Sequence, residues 1–190
     1  MSNVYAVEET FEGVNFQNDP LPQGDYEGCR FVDCHFSGAD LSGINFIECT
    51  LDRCDLSMAK VAHTAFKDAT FNHCKLLGVR FEDSEKFLLQ LGFNDCTLHL
   101  ATFSGLNLKG IQFNNCLLHE ADFSGANLSK ATFNRCDLHR TIFNNTQLEE
   151  ADFRSSFHYS IDPENNRLKK ARFSLENSRG LLDKYDIIIE

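Results

Sequence analysis

From Phe93 to Phe153 the chain reads FNDCTLHL ATFSGLNLKG IQFNNCLLHE ADFSGANLSK ATFNRCDLHR TIFNNTQLEE ADF. Steps of five from Phe93 land on Leu98, Phe103, Leu108, Phe113, Leu118, Phe123, Leu128, Phe133, Leu138, Phe143, Leu148 and Phe153, so Phe and Leu alternate without a miss. An α-helix repeats every 3.6 residues and a flat strand every 2, and neither produces this pattern. A chain that turns one large apolar residue inward at every fifth position must round a corner between them. Four corners close a square coil of about 20 residues, and stacked coils pair their edges as parallel strands ~4.8 Å apart.

The same phase runs through Phe31, Phe36, Leu41, Phe46, Leu51, Leu56, Val61, Phe66, Phe71, Leu76 and Phe81. Upstream, Phe11, Phe16, Leu21 and Tyr26 keep it, but Glu9 and Asp19 suit an inward site poorly, and Pro20 and Pro22 break strand pairing. These features predict an N-terminal cap with an irregular first coil over 1–25 and a β-helix over 26–153. About seven coils fit between Phe11 and Phe153, a rod on the order of 35 Å long.

Two residues before each core position lies a second inward site beside a corner, which must be small. All eight cysteines occupy it: Cys29, Cys34, Cys49, Cys54, Cys74, Cys96, Cys116 and Cys136. No C-x-x-C pair exists, and free Cys is among the most buried residue types. Reduced core fillers are therefore expected, with neither disulfides nor zinc. The spacing Cys34–Cys54–Cys74 is 20, as is Cys96–Cys116–Cys136, whereas Cys74 to Cys96 is 22. Phe71 to Phe93 is also 22, so one coil carries two extra residues, within the irregular segment 82–92. The reading is a local bulge on one edge, with Phe87, Leu88 and Leu89 as candidate partner contacts.

The remaining surface holds no phosphate-cradling glycine loop, nucleophile elbow or acid pair placed by a recognisable motif. The expectation is a non-enzyme without cofactor or metal. His99, His119 and His139 are 20 apart and stack on one face, where they read as a solvated ladder. Outward apolar residues Met58, Leu77, Leu100 and Leu117 share that face, and Leu77 and Leu100 are further candidate contacts. Met1 to Thr10 carries neither a basic leader nor an apolar stretch, and no run of about 18 apolar residues occurs. A cytoplasmic protein without a membrane span is the expectation. The formal charge of −10 argues against direct nucleic-acid binding. It is uneven: residues 1–95 hold 16 Asp+Glu against 7 Lys+Arg, and residues 96–190 hold 12 against 11.

Segments such as Ala39-Asp40-Leu41-Ser42-Gly43, Ala121-Asp122-Phe123-Ser124-Gly125 and Ala126-Asn127-Leu128-Ser129 resemble the A(D/N)LXX unit of pentapeptide-repeat proteins. The resemblance covers roughly residues 26–153 and implies an all-β fold, a right-handed quadrilateral β-helix. The tail, with Ile161-Asp162-Pro163-Glu164-Asn165-Asn166, Lys170-Ala171-Arg172-Phe173-Ser174, Leu181-Leu182 and Ile187-Ile188-Ile189, looks like the end of the topoisomerase-protecting branch. That branch includes the Qnr quinolone-resistance proteins, MfpA, the albicidin-resistance protein and the microcin-immunity protein. It implies a homodimer joined at the C-termini, a rod resembling DNA in shape and charge, and DNA gyrase as protein partner.

The residues of the tail agree. Ser174 is a suitable N-cap for a short helix over about Leu175–Tyr185, which Gly180 weakens. An open solenoid end needs covering, and three consecutive Ile need burial. Residues 154–190 are thus read as C-terminal cap and dimerisation tail, with Leu181, Leu182, Ile187, Ile188 and Ile189 in the interface. The alternative is a pentapeptide-repeat scaffold that binds an unrelated regulatory protein.

Overall fold

The structure is a computed structural model that describes residues 3–188. Its regular strands are short: β1 (Val4–Val7), β2 (Thr10–Glu12), β3 (Gly24–Glu27), β4 (Arg30–Val32), β5 (Asn45–Ile47), β6 (Thr50–Asp52), β7 (Ala65–Lys67), β8 (Ala69–Asn72), β9 (Leu91–Asn94), β10 (Gln112–Asn114) and β11 (Thr132–Asn134). All pair in parallel. One sheet has the order β1-β3-β5-β7 and the other β11-β10-β9-β8-β6-β4-β2. The register between coils is 20, as in Phe11↔Phe31 and Phe113↔Phe133. Two further ladders of single bridges, such as His35↔Asp55 and Asp40↔Lys60, complete four faces per coil. The pairing begins at Val4↔Gly24 and is still present at Asp152↔Arg172, so regular stacking extends beyond both ends of the segment with clear repeats.

The alternation of Phe and Leu has a geometric cause. Phe residues ten apart come from opposite walls of the coil, and their rings meet edge to face in the middle. Phe93 and Phe103 sit 6.0 Å apart at 80°, and Phe113 and Phe123 5.7 Å apart at 77°. Along the rod each ring stacks on its counterpart one coil away: Phe81 on Phe103 at 4.8 Å, Phe103 on Phe123 at 4.9 Å, Phe133 on Phe153 at 4.7 Å. The other two walls are lined by Leu98, Leu118 and Leu138 and by Leu108, Leu128 and Leu148, all buried. Two facing rings and two Leu fill one square layer, and parallel-strand spacing sets the distance to the next.

The corners explain why the repeat is five residues long. The second residue after each core position adopts a left-handed backbone, for instance Asp33 (φ 51°), Met58 (φ 58°), Glu120 (φ 56°) and Lys130 (φ 62°). Gly38, Gly43, Gly105 and Gly125 occupy the same position. Non-glycine residues seldom adopt this region, so the coil closes against a steric cost met at nearly every corner.

Cysteine does more than fill space. Cys54 Sγ donates to the Phe31 carbonyl at 3.3 Å, Cys74 to Leu51 at 3.3 Å and Cys136 to Phe113 at 3.4 Å, each 23 residues back. Thr64 and Thr141 make the same bond through Oγ1, to Leu41 and Leu118 at 2.7 Å. The small inward site therefore favours a short donor that ties each coil to the one before. Burial pushes the Cys49 thiol up to about 11, so it stays protonated and able to donate.

The end of the rod departs from the sequence expectation. No α-helix forms over Leu175–Tyr185; the chain makes two 3-10 turns, Ser178–Leu181 and Asp183–Tyr185. Ser174 does cap, since its Oγ accepts the Asn177 N–H at 3.2 Å. Gly180 is pinned to the last coil, and its carbonyl accepts the Ile161 N–H at 2.9 Å. A Cβ there would lie 2.0 Å from the Tyr159 carbonyl oxygen, which only glycine avoids. Asp186 turns left-handed (φ 49°) and ends the segment. A short helix has little intrinsic stability to resist these tertiary demands.

Two outcomes follow for chemical denaturation. Phe113→Ala removes a ring stacked on both sides, and a loss of about 3–5 kcal/mol is expected. Cys116→Ser keeps size and donor and stays close to the parent, whereas Cys116→Leu overfills the corner at a cost of about 1–3 kcal/mol. Equal loss for the two Cys116 variants would refute the donor role.

Candidate interaction surface

The two extra residues leave the coil on one face. Glu85 N–H still reaches the Thr64 carbonyl at 2.9 Å, and Gln90 N–H reaches Phe66 at 2.9 Å. Between these bonds the chain loops outward, with Leu88 left-handed (φ 58°). Phe87 N–H donates to Glu85 Oε1 at 3.0 Å. That bond and a second backbone donor at Lys86 hold the Glu85 carboxyl below its usual range. Phe87 and Leu88 are 70% and 63% exposed, whereas Leu89 turns back against the core and Leu91 is buried.

On this face the β1-β3-β5-β7 ladder stops at β7 and resumes only with Asn107↔Asn127. An open groove of about 570 Å³ lies there, lined by Leu89, Gln90, Asn107, Lys109 and Ile111 among others. The neighbouring face is undisturbed: β8 pairs directly with β9, Phe71↔Phe93. Asn94 Nδ2 bonds Asn72 Oδ1 across the insertion at 2.8 Å, and Asn114 Nδ2 bonds Asn94 Oδ1 at 2.9 Å.

Leu77 and Leu100, with Met58 and Leu117, are exposed on the face two walls away, opposite the insertion. The five candidate contact residues thus fall on opposite sides of the rod, and one flat partner surface cannot touch both sets. A Cβ at Gly78 would come within 2.6 Å of Met58 Sδ, so the Met58 side chain lies over that glycine.

The histidines share the face of Leu77 and Leu100. His99 and His119 stack at 4.5 Å and 9°, and His119 meets His139 edge to face at 5.7 Å. The sequence spacing missed one histidine of the column, His158, and the carboxylate that joins it, Asp137. His158 lies 19 residues after His139, where the last corner loses phase, and its Nδ1 is 2.9 Å from Asp137 Oδ1. His119 Nε2 is 3.0 Å from Asp137 Oδ2, close enough for an ion pair when protonated but outside hydrogen-bond geometry. Burial pushes the Asp137 carboxyl up, but the His158 and His119 contacts outweigh it, and its pKa lies below the ordinary value. Burial, then the neighbouring His119, lowers the His99 pKa. The column is therefore less solvated than its spacing suggested: His99 Nε2 and His119 Nε2 are shielded from water. Among the described residues no His, Cys, Asp or Glu group is arranged to hold a metal ion.

The tail leaves much apolar surface open. Leu181 packs against the core, while Leu182 and Ile187 are exposed and Ile188 is 89% exposed. Ile189 lies outside the described residues. Lys184 Nζ clamps Asp162 Oδ1 at 2.7 Å and Glu164 Oε2 at 2.6 Å, fixing the turn to the last coil. No helix among the described residues is long and apolar enough to cross a membrane.

Comparison with known proteins gives a family and a shared fold. No curated protein sequence matches the chain. Among solved structures it is similar to a trypsin-treated form of QnrB1, a plasmid-mediated fluoroquinolone resistance protein. The two share 20% identity over 99% of this chain and 94% of that one, with a TM-score of 0.53. It is also similar to HetL, a pentapeptide repeat protein involved in heterocyst differentiation regulation in the cyanobacterium Nostoc sp. strain PCC 7120. There the identity is 17% over 90% and 87% of the chains, with a TM-score of 0.51. Likeness at these identities is likeness of fold. The model of the pentapeptide repeat region matches residues 9–85, 44–123 and 86–153, the stretch in which rings stack coil upon coil, and the chain belongs to the pentapeptide repeat family.

Proposed function

We propose that this protein is a non-catalytic, dimeric binder of DNA gyrase, with topoisomerase IV as a second target. In this reading it protects the enzyme from a quinolone or a peptide-type poison. The carrying observation is the rod itself, a continuous stack with an acidic N-terminal half and an apolar tail at the other end. A rigid rod of parallel coils presents charge at fixed intervals, as a nucleic-acid duplex does, and a DNA-binding saddle reads such an array electrostatically. The fluoroquinolone resistance role of QnrB1 supports the same direction, through likeness of fold alone. The protein then acts by occupying the saddle, or by approaching the cleavage complex so that the poison is displaced.

The second reading is a scaffold for an unrelated regulatory partner. The similarity to HetL favours it, because one solenoid serves many functions.

The exposed tail supports the dimer part of this reading. Leu182, Ile187 and Ile188 form an exposed apolar edge beside a groove lined by Arg179, Asp183 and Asp186. A two-fold partner buries the same edge on both copies.

Gyrase supercoiling and cleavage assays with ciprofloxacin or albicidin, titrated with the protein, decide between the two readings. Protection or inhibition at micromolar protein is expected, and the absence of both would sink the gyrase reading. Gel filtration of the Ile187→Glu/Ile188→Glu variant should show a monomer, and an unchanged dimer would remove the tail from the interface.

A further inference from the structure

The last coil contains the run Arg167-Leu168-Lys169-Lys170-Ala171-Arg172, four cations in six residues of a chain whose formal charge is −10. Its backbone is fixed: Arg167 N–H donates to Thr146 at 3.0 Å and Arg172 N–H to Ala151 at 2.8 Å. Leu168 packs toward the core, so the four cations are turned outward around one corner, and all are exposed. Lys130 and Arg135 are exposed two coils earlier on the same two walls.

Among the described residues five other cations are paired: Arg53 with Asp33, Arg80 with Asp83, Arg140 with Glu120, Arg154 with Asp152 and Lys184 with Asp162. Among the described residues Arg167, Lys169, Lys170 and Arg172 make no ion pair. Nearby acids reduce the local charge without cancelling it. Glu149 and Glu150 lie one coil back, Asp152 is engaged by Arg154, and Glu164 by Lys184.

We infer that this basic corner binds the phosphate backbone of duplex nucleic acid. Arg167 and Lys169, alternate residues along one wall, are ~7 Å apart, the scale of neighbouring phosphates, and the left-handed Lys170 (φ 62°) turns the chain so that Arg172 continues the row on the next wall. The two guanidiniums grip phosphate oxygens in a planar fork, and the two ammoniums add point charge. The coil ladder holds the backbone of the row, so only its side chains are ordered on binding. The acidic half does not cancel it. Coils one to four lie ~20 Å or more away, and the screening length at physiological salt is about 8 Å. The whole-chain charge therefore misstates what this corner presents. The inference does not depend on the gyrase reading, since free DNA is its probe. If both hold, the corner grips DNA beside the bound topoisomerase.

The test is fluorescence anisotropy of a short labelled duplex with the full chain. Affinity should fall about 150-fold between roughly 50 and 200 mM salt if four phosphates are neutralised. Lys169→Gln/Lys170→Gln/Arg172→Gln should weaken binding at least tenfold and flatten the salt dependence. Lys60→Gln/Lys75→Gln, remote and exposed, should leave it unchanged. Absence of binding at the lower salt, or equal binding by the triple variant, overturns the proposal. So does tighter binding of labelled polyglutamate than of DNA, which would make the corner a site for acidic polypeptide. Salt-sensitive self-association on sedimentation, without DNA binding, would assign it to the acidic half of a second copy.

Discussion

Everything in this molecule depends on one distance, the ~4.8 Å between adjacent parallel strands. A ring at an inward site must stack on the residue one coil below at that separation, and the observed centroid spacings of 4.7–4.9 Å in the best-formed columns match it. The interior of a square coil has room for four large side chains per layer. From Phe81 onward the repeated solution is Phe on two opposite walls and Leu on the other two, whereas earlier coils set Phe on adjacent walls, Phe31 with Phe36 and Phe66 with Phe71. The left-handed corners, with their steric cost, are tolerated because they close the layer that buries these rings.

The same constraint explains how a two-residue insertion is accommodated. The walls of Phe71↔Phe93 and Lys75↔Thr97 keep their ladder across the insertion. The mismatch falls on the wall where β7 loses its regular successor and Leu89 packs against the core, and on the wall before it, where among the described residues no bridge joins Lys60 to Arg80 and Phe81–Asp83 makes a 3-10 turn. The asparagine chain Asn72–Asn94–Asn114 runs along the adjacent wall and spans the insertion without interruption. A solenoid coil contacts mainly its two neighbours, so a local error need not propagate. It does leave a groove and two exposed apolar residues, Phe87 and Leu88, as a consequence of packing.

Fold class and phase were legible in the sequence because period five is imposed on every coil and sampled many times. The 22-residue spacings of Cys74 to Cys96 and of Phe71 to Phe93 located the insertion. What was not legible depends on direction and on neighbours in space. Spacing placed the cysteines inside but did not say that their thiols reach a carbonyl 23 residues back; Thr64 and Thr141, in the same register with an obvious donor, were the available signal. Phe87 and Leu77 looked like members of one contact set until the walls were assigned, and they face opposite ways. His158 broke the 20-residue spacing of its column, so only the position of Asp137 reveals it. The tail deceived for a different reason. Ser174 caps as its residue type suggests, but Gly180 answers to the Tyr159 carbonyl, a tertiary contact that no local pattern encodes.

Charge is where averaging over the chain misleads most. A net of −9 in residues 1–95 against −1 in residues 96–190 already argues against a uniformly acidic rod. The last coil carries the asymmetry further, since its four cations are set on a fixed backbone while Lys184 offsets one of the two charges of Asp162 and Glu164. Two ends of opposite character, farther apart than the screening length, act on a partner independently. If the partner is the DNA-loaded topoisomerase proposed above, the acidic half would face its basic surface and the cationic corner its duplex, whereas a uniformly acidic rod would be repelled by the DNA already bound. The uneven placement of charge along the rod, more than its total, is then the property that distinguishes approach to the cleavage complex from occupation of the saddle.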